Sequence, residues 1–427
     1  MISALLFGVF AILLVLGVPI AISLGVASSV VLFTSGKVSS SFIPQGLVTS
    51  IDSFPLMAVP FFILAGDLMS QGGLSSRLLN VGKVLFGRYN GGLAIIAVAT
   101  CMFFGAISGS GPATVAAVGS ILLPAMAKDG YRPVFSTSLV ASAGSLGVII
   151  PPSIPMVIYA ASANVSVTGM FLAGIIPGML IGLALMMYAW IQARREGVGA
   201  DATRYTPGEA WAVIWDAKWA LIVPVIILGG IYGGIFTPTE AAAIGVIYGL
   251  VVGLFVYREL RLIDLYRVFA QSALTTGSVM LIVGAATIFG RVLTIERIPV
   301  LLAEAIVDLV SSPLALLMLV NLLLLVVGTF METLAAIIIL TPILLPVAMA
   351  MGIDPTHFGI VMIVNLGIGM VTPPLGMNLF IGSKVGNVPL EQLMRGALPF
   401  VLVMLVTLAL ITYLPALSLA LPTWVAR

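Results

Sequence analysis

One stretch of this chain occurs twice. Residues 122–155 read LLPAMAKDGYRPVFSTSLVASAGSLGVIIPPSIP, and residues 344–377 read LLPVAMAMGIDPTHFGIVMIVNLGIGMVTPPLGM. Pro124 pairs with Pro346, Gly130 with Gly352, Pro133 with Pro355 and Gly147 with Gly369, each pair 222 residues apart (346 − 124 = 222). Pro151-Pro152 pair with Pro373-Pro374 at the same offset, as do Gly174 with Gly396 and Pro177 with Pro399. What recurs is mostly Gly and Pro, the residues that interrupt helices. An apolar chain with matched helix breaks in its two halves has the pattern of a secondary transporter, with the breaks marking the binding region.

The solvent follows from composition. The chain is 61% hydrophobic and 8% charged, against about 25% charged in an ordinary soluble domain. Most of it therefore sits in lipid, and its length allows roughly ten spans of about 20 residues. A net charge of +2 gives no basis for nucleic-acid binding. The single cysteine, Cys101, excludes internal disulfides and any cysteine metal cluster. The single histidine, His357, follows Asp354-Pro355-Thr356 and reads as a loop residue. The N-terminus has no basic region before its apolar run, so it reads as a first membrane segment and not as a cleaved leader.

The first half, 1–193, divides into scaffold spans at 2–70, an amphipathic arm at 73–90, a hairpin at 93–127, a broken helix at 134–163 and a span at 168–193. Residues 2–34 are interrupted at Gly17-Val18-Pro19 and read as two crossings. A polar cytoplasmic connector, 194–218, ends in Trp211, Trp215 and Trp219, an interfacial stripe on one helical face. The second half, 219–427, repeats the order: spans over 219–292 with a break at Thr237-Pro238, an arm at 295–311, a hairpin at 314–350, a broken helix at 356–383 and a last span at 397–421. Each half makes five crossings plus a hairpin that returns to its own side. Five is odd, so the repeat is inverted. The predicted fold is an all-α polytopic membrane protein built from two such halves. Alternating the spans puts 14 of the 18 basic residues on one side, which the positive-inside rule makes cytoplasmic. Both termini then face the periplasm.

The hairpin arms at 93–107 and 113–127 have 15 residues each, reaching about 22 Å as helices and stopping short of a ~30 Å hydrocarbon core. Their tips lie near mid-membrane, where irregular backbone survives only if buried in protein or lining water. The first tip, Ser108-Gly109-Ser110-Gly111-Pro112, supplies hydroxyls and free carbonyls, and the break at Ile149-Ile150-Pro151-Pro152 frees more. Neutral oxygens at half-helix ends suit Na⁺, while half-helix N-termini favour an anion. At the second tip Gly328 and Thr329 face Gly369 and Thr372, with amides at Asn365 and Asn378. Acidic residues inside apolar sequence are functional candidates: Glu332 at the tip, Asp67 near a span end, and Glu240 in a capping position. Glycine-rich nucleotide loops, zinc motifs and nucleophile constellations are absent from the sequence, which argues against an enzyme.

Five segments carry a resemblance: LMAVPFFILAGDLM (56–69), FFGAISGSGPATVAAVGSILLP (103–124), GVIIPPSIPMVIY (147–159), GGIFTPTEAAAIG (233–245) and MVTPPLGMNLF (370–380). In this order, and over essentially the whole chain, they resemble the DctM-type large membrane subunit of tripartite ATP-independent periplasmic (TRAP) transporters. The resemblance implies an elevator-type protein of the ion-transporter superfamily in the bacterial inner membrane. It implies uptake of an organic anion such as a sialic acid or a C4-dicarboxylate, driven by Na⁺. It implies two protein partners, a periplasmic substrate-binding protein and a small four-helix membrane subunit expected as a separate chain. Sodium sites between tips and breaks would fall at Ser108, Ser110, Gly111, Val148, Pro151, Gly328, Thr329, Gly369 and Thr372. Substrate contacts are expected at Ser153, Glu332, Asn365 and Asn378. The alternative is a stand-alone Na⁺/anion symporter of the divalent-anion class. Its members carry Ser-Asn-Thr at their tips, where this chain has SGSGP and TFMET.

Overall fold

The repeat is visible as matched helix ends in the computed structural model, which describes residues 2–35, 41–87, 91–198, 205–298, 301 and 312–425. The described residues are helical, without strands. The first hairpin is Gly92–Ser108 and Gly111–Lys128, joined by Gly109 and Ser110; the second is Pro313–Phe330 and Thr333–Ala350, joined by Met331 and Glu332. Gly109 turns the first tip with φ +60, a conformation only glycine takes cheaply. Pro133–Gly144 and Leu146–Ile149 precede the first break, and Ile154–Ala163 follows it. In the second half Pro355–Gly369 and Met377–Gly386 flank the break. Both Pro-Pro bonds, 151–152 and 373–374, are cis.

The second break is the longer. It runs over 370–376, against 150–153 in the first. One added residue shifts the register: the left-handed C-cap asparagines that end the following helices, Asn164 and Asn387, are 223 apart (387 − 164 = 223). Gly174/Gly396 and Pro177/Pro399, matched at 222 in sequence, thus lie one residue out of structural register.

Several boundaries differ from the sequence reading, each for a local reason. The span expected at 270–292 is Leu262–Ile295, 34 residues. Its first turns carry Tyr266 and Arg267, polar enough to hide a helix that runs beyond the hydrocarbon. The last span expected at 397–421 is two helices, Leu390–Tyr413 and Ala416–Val425, because Pro415 cannot donate the next helical hydrogen bond. Within the connector, Thr206 and Glu209 form a capping box that starts the helix Pro207–Asp216. That helix meets Lys218–Tyr232 at 52°. Exposed Trp211 and Trp215 stack there, with Lys218 Nζ 3.6 Å from the Trp215 ring centroid. Residues 299, 300 and 302–311 of the arm expected at 295–311 lie outside the described residues, as do 88–90 and 199–204.

His357 is not a loop residue. It is buried in the first turn of Pro355–Gly369, with Nδ1 2.7 Å from Ser418 Oγ and Nε2 3.2 Å from the Thr412 carbonyl. The arm Leu74–Phe86 buries Leu74, Leu78, Leu79 and Val81 against the first hairpin and the helices at 207–232, so its apolar face rests on protein. Arg77 holds it there. The guanidinium pairs with Asp216 at 3.1 Å and Glu259 at 2.5 Å and lies 3.6 Å from the centre of the Tyr257 ring.

The two halves interlock. The first arm of each broken helix packs on the first arm of its own hairpin, but the second arm packs on the other half's hairpin: Met377–Gly386 against Gly111–Lys128, and Ile154–Ala163 against Thr333–Ala350. Around this block stand Ile20–Ser35, Ala58–Gln71, Pro238–Val251 and Leu262–Ile295, packed on one another.

Glycines set the closest approaches. A Cβ on Gly369 would stand 2.6 Å from Gly328 Cα, and one on Gly105 would stand 2.8 Å from Gly147 Cα. Backbone cannot yield as a side chain can. Gly369→Ala is therefore expected to lower stability by about 1–3 kcal/mol through overpacking. Gly277→Ala, which faces open space, should leave it unchanged. Thermal unfolding in detergent compares them; equal melting temperatures would show that the two backbones are not in contact.

Candidate functional site

Each tip is built against a break. Ser110 caps the helix Gly111–Lys128 in extended conformation, and its carbonyl accepts from Thr114 Oγ1 at 2.7 Å. Ser108 Oγ lies 3.1 Å from Thr114 Oγ1 and 3.3 Å from the Ser110 carbonyl. Ile154 N–H reaches the Gly109 carbonyl at 3.4 Å, joining the tip to the far side of the break. A Cβ on Gly147 would stand 2.6 Å from the Ser110 carbonyl oxygen, so this glycine admits the tip to the break. The tip residues thus lie against Gly147 and Pro152, the chain neighbours of Val148 and Pro151, and against Ile154. Ser153 sits inside the break, buried, its hydroxyl donating to the Val148 carbonyl at 2.6 Å.

The second tip follows the same plan with different chemistry. Gly376 N–H reaches the Thr329 carbonyl at 3.4 Å. Gly376 takes φ +58, and a Cβ there would meet the Met370 and Thr372 carbonyls. Thr329 and Thr372 each donate to their own helix, at Val326 and Ile368. A cavity of about 270 Å³ opens beside Gly328, Thr329, Glu332 and Met370.

A larger cavity, about 410 Å³, brings the tips onto one space. Ser108 and Ser110 line it from the first hairpin and Glu332 from the second. The surrounding helices contribute Asp67, Gln271 and Thr275. Asp67 accepts from Ser272 Oγ at 2.5 Å, which ties Ala58–Gln71 to Leu262–Ile295. The sequence reading placed Asp67 near a span end; a lone charge in an apolar run was the available signal for its inward position. Thr114 carried no such signal.

The two asparagines lie apart. Asn365 donates through Nδ2 to the Asn321 carbonyl and to Asn321 Oδ1, both at 2.9 Å, and Asn321 donates to Thr412 Oγ1 at 3.0 Å. This chain, from buried Asn365 and Thr412 to half-buried Asn321, lines neither cavity. Asn378, expected at the second tip, reaches the first: its side chain lies over Gly111. Among the described residues no cluster of His, Cys, Asp and Glu has a metal-holding arrangement.

Helical hairpins whose tips face helix breaks, a shared internal cavity, and eight helices among the described residues long and apolar enough to cross a membrane, hairpin arms included, define a multi-pass membrane transport protein. The chain belongs to the DctM family: the family described as the tripartite ATP-independent periplasmic transporter, DctM component, matches residues 7–417. It is 51% identical over 414 residues to the isethionate TRAP transporter permease protein DctMQ of Oleidesulfovibrio alaskensis, covering 97% of this chain and 65% of that one. It is 47% identical over 398 residues to the C4-dicarboxylate TRAP transporter large permease protein DctM of Pseudomonas aeruginosa, covering 93% and 92%. The sialic acid TRAP transporter large permease protein SiaM of Vibrio cholerae is 38% identical over 410 residues, covering 96% of each. Among solved structures, the YdaH transporter of Alcanivorax borkumensis superposes with a TM-score of 0.65 at 17% identity, over 90% of this chain and 88% of that one. That likeness is one of fold.

The Asn321–Asn365–Thr412 chain yields a prediction. Asn365→Ala removes the donor to half-buried Asn321 Oδ1 and should cost about 1 kcal/mol. Thermal unfolding should register the loss while half-saturation for substrate stays at the wild-type value. A raised half-saturation without lost stability would put Asn365 in contact with substrate.

Proposed function

We propose that this chain is the translocation subunit of a TRAP transporter, carrying an organic anion inward with Na⁺. The observation that supports it most is the shared cavity, where both tips meet one space between the interlocked block and the surrounding helices. The relatives named above transport isethionate, C4-dicarboxylates and sialic acid by their names, all organic acids. In this reading a periplasmic binding protein delivers the anion and a small membrane subunit supports the surrounding helices.

Na⁺ is cargo here, and the donors suit it. Hard cations take oxygen ligands, and the first tip gathers the Ser108 and Thr114 hydroxyls and the Ser110 carbonyl. The second gathers the Thr329 carbonyl beside Gly328, Gly369 and Thr372. The anion is drawn to the N-terminal ends of the helices that begin at Gly111 and Thr333, where unpaired N–H groups carry partial positive charge. Glu332 is the substrate contact, accepting from hydroxyl or amide groups of the anion and not from its carboxylate. Ser153, whose hydroxyl is spent on the Val148 carbonyl, and Asn365, whose Nδ2 is spent on Asn321, hold the framework. The interlocked block moves as one elevator against the surrounding helices, because its two halves share each other's hairpins.

Reconstitution in proteoliposomes tests the whole reading. Uptake should require the binding protein, the small subunit and an inward Na⁺ gradient. Uptake by this chain alone would favour the stand-alone symporter. Within the complete system Ser108→Ala, Ser110→Ala and Thr372→Ala should each raise the Na⁺ concentration for half-maximal uptake. Unchanged sodium dependence in all three would remove both sites.

Orientation has its own check. Cys101 is buried, so in a Cys101→Ala background Asp52→Cys should react with an impermeant maleimide from the periplasm. Lys128→Cys should react only after the membrane is opened. Both residues are exposed on the protein. The reverse pattern would invert the topology.

A further inference from the structure

Asn378 belongs to the second repeat by sequence and to the first site by contact. Its backbone N–H donates to the Met370 carbonyl at 3.0 Å, closing the second break. Two residues earlier, Gly376 is the residue that reaches the Thr329 carbonyl of the second tip. The Asn378 side chain is fully buried and crosses to the first broken helix. There Nδ2 donates to the Ala141 carbonyl at 3.2 Å and to Ser145 Oγ at 3.3 Å. Those two acceptors orient the amide. Oδ1 is then left without a partner, 3.2 Å from where a Cβ on Gly111 would stand. Gly111 is the first residue of the helix after the first tip, and its lack of a side chain leaves room for this oxygen. A buried carbonyl oxygen with no donor is costly unless something electropositive meets it.

The relation runs one way. Under the register that holds after the breaks, position 378 corresponds to Pro155 (378 − 223 = 155), which has no polar side chain. Gly111 corresponds to Thr333 (333 − 222 = 111), whose buried hydroxyl also has no partner. The second hairpin therefore carries its own spare oxygen, while the first receives one from the other repeat.

We propose that Asn378 Oδ1 is a ligand of the cation at the first tip and that its backbone makes this ligand depend on the second. The proposal rests on the sodium reading of the two tips. A cation at the second tip orders residues 370–376, which fixes the Asn378 backbone and so the position of Oδ1. Coupling of this kind is reciprocal: each ion raises the affinity for the other by the same factor.

The test is equilibrium binding of radioactive sodium to the full chain with its small membrane subunit in nanodiscs, at constant ionic strength. Wild type should give a sigmoidal isotherm. Asn378→Ala should give a hyperbolic one, with the midpoint raised about fivefold or more. Thr372→Ala weakens the second site in either background; it should also weaken the first site in the wild-type background and leave the first site's affinity unchanged in the Asn378→Ala background. Asn378→Asp keeps the shape and puts a charged oxygen at the same place; it should lower the midpoint, and it decides the matter if the alanine variant does not fold. A role in packing alone would lower the melting temperature of both variants and leave both isotherms unmoved, which would overturn the proposal. Hyperbolic binding by wild type would overturn the coupling and leave the sodium sites standing. No sodium binding by wild type would overturn the sodium reading itself.

Discussion

Everything at the centre of this protein depends on two places where backbone touches backbone. Gly105 meets Gly147 in the first half, and Gly328 meets Gly369 in the second. In hydrocarbon an unpaired N–H or carbonyl costs several kcal/mol, so a helix can be interrupted at mid-membrane only if protein covers the interruption. Here each interruption covers another. The tip of a hairpin lies on the break of a helix, and the groups freed by one are met by the other, as Ile154 meets Gly109 and Gly376 meets Thr329. Without side chains at the contact, main-chain atoms come close enough to pair, as small residues allow elsewhere in membrane helices.

That arrangement explains why the halves interlock. A broken helix lying wholly on its own hairpin would leave two separable units. Instead each outgoing arm crosses to the other repeat, so each hairpin is finished by residues far away in the chain, 266 positions from Gly111 to Met377 (377 − 111 = 266) and 179 from Ile154 to Thr333 (333 − 154 = 179). The junction is also where polar atoms gather, with hydroxyl and carbonyl groups of Ser108, Ser110 and Thr114 bonding one another. The cavity shared by Ser108, Ser110 and Glu332 is a consequence of the same crossing.

The halves are not copies in chemistry. The first tip is built from serines and glycines around Thr114, the second from Thr329, Glu332 and a seven-residue break over 370–376. One added residue in that break shifts the register from 222 to 223 and turns the following helix, which places Asn378 against Gly111. A symmetric repeat would put identical sites at both tips; the inserted residue lets one repeat contribute to the other's.

What the sequence determined by itself was the backbone plan. Gly and Pro act on φ and on hydrogen bonding within a few residues of themselves, so Pro133 and Pro355, both cis Pro-Pro pairs and the glycine turn at Gly109 marked helix starts, breaks and a tip from local chemistry alone. Apolar run length did the same for the spans. Tertiary structure decided whatever depends on a neighbour distant in the chain. His357 follows a loop-like tripeptide yet is buried, because Ser418 and Thr412 arrive from the last two helices to take its ring nitrogens. Asp67 turns inward because Ser272 stands opposite it. Asn378 sits at the first tip because its helix crosses between repeats. A side chain's partners are set by which helices meet and in what register, and for these residues both depend on packing between parts of the chain that no local pattern connects.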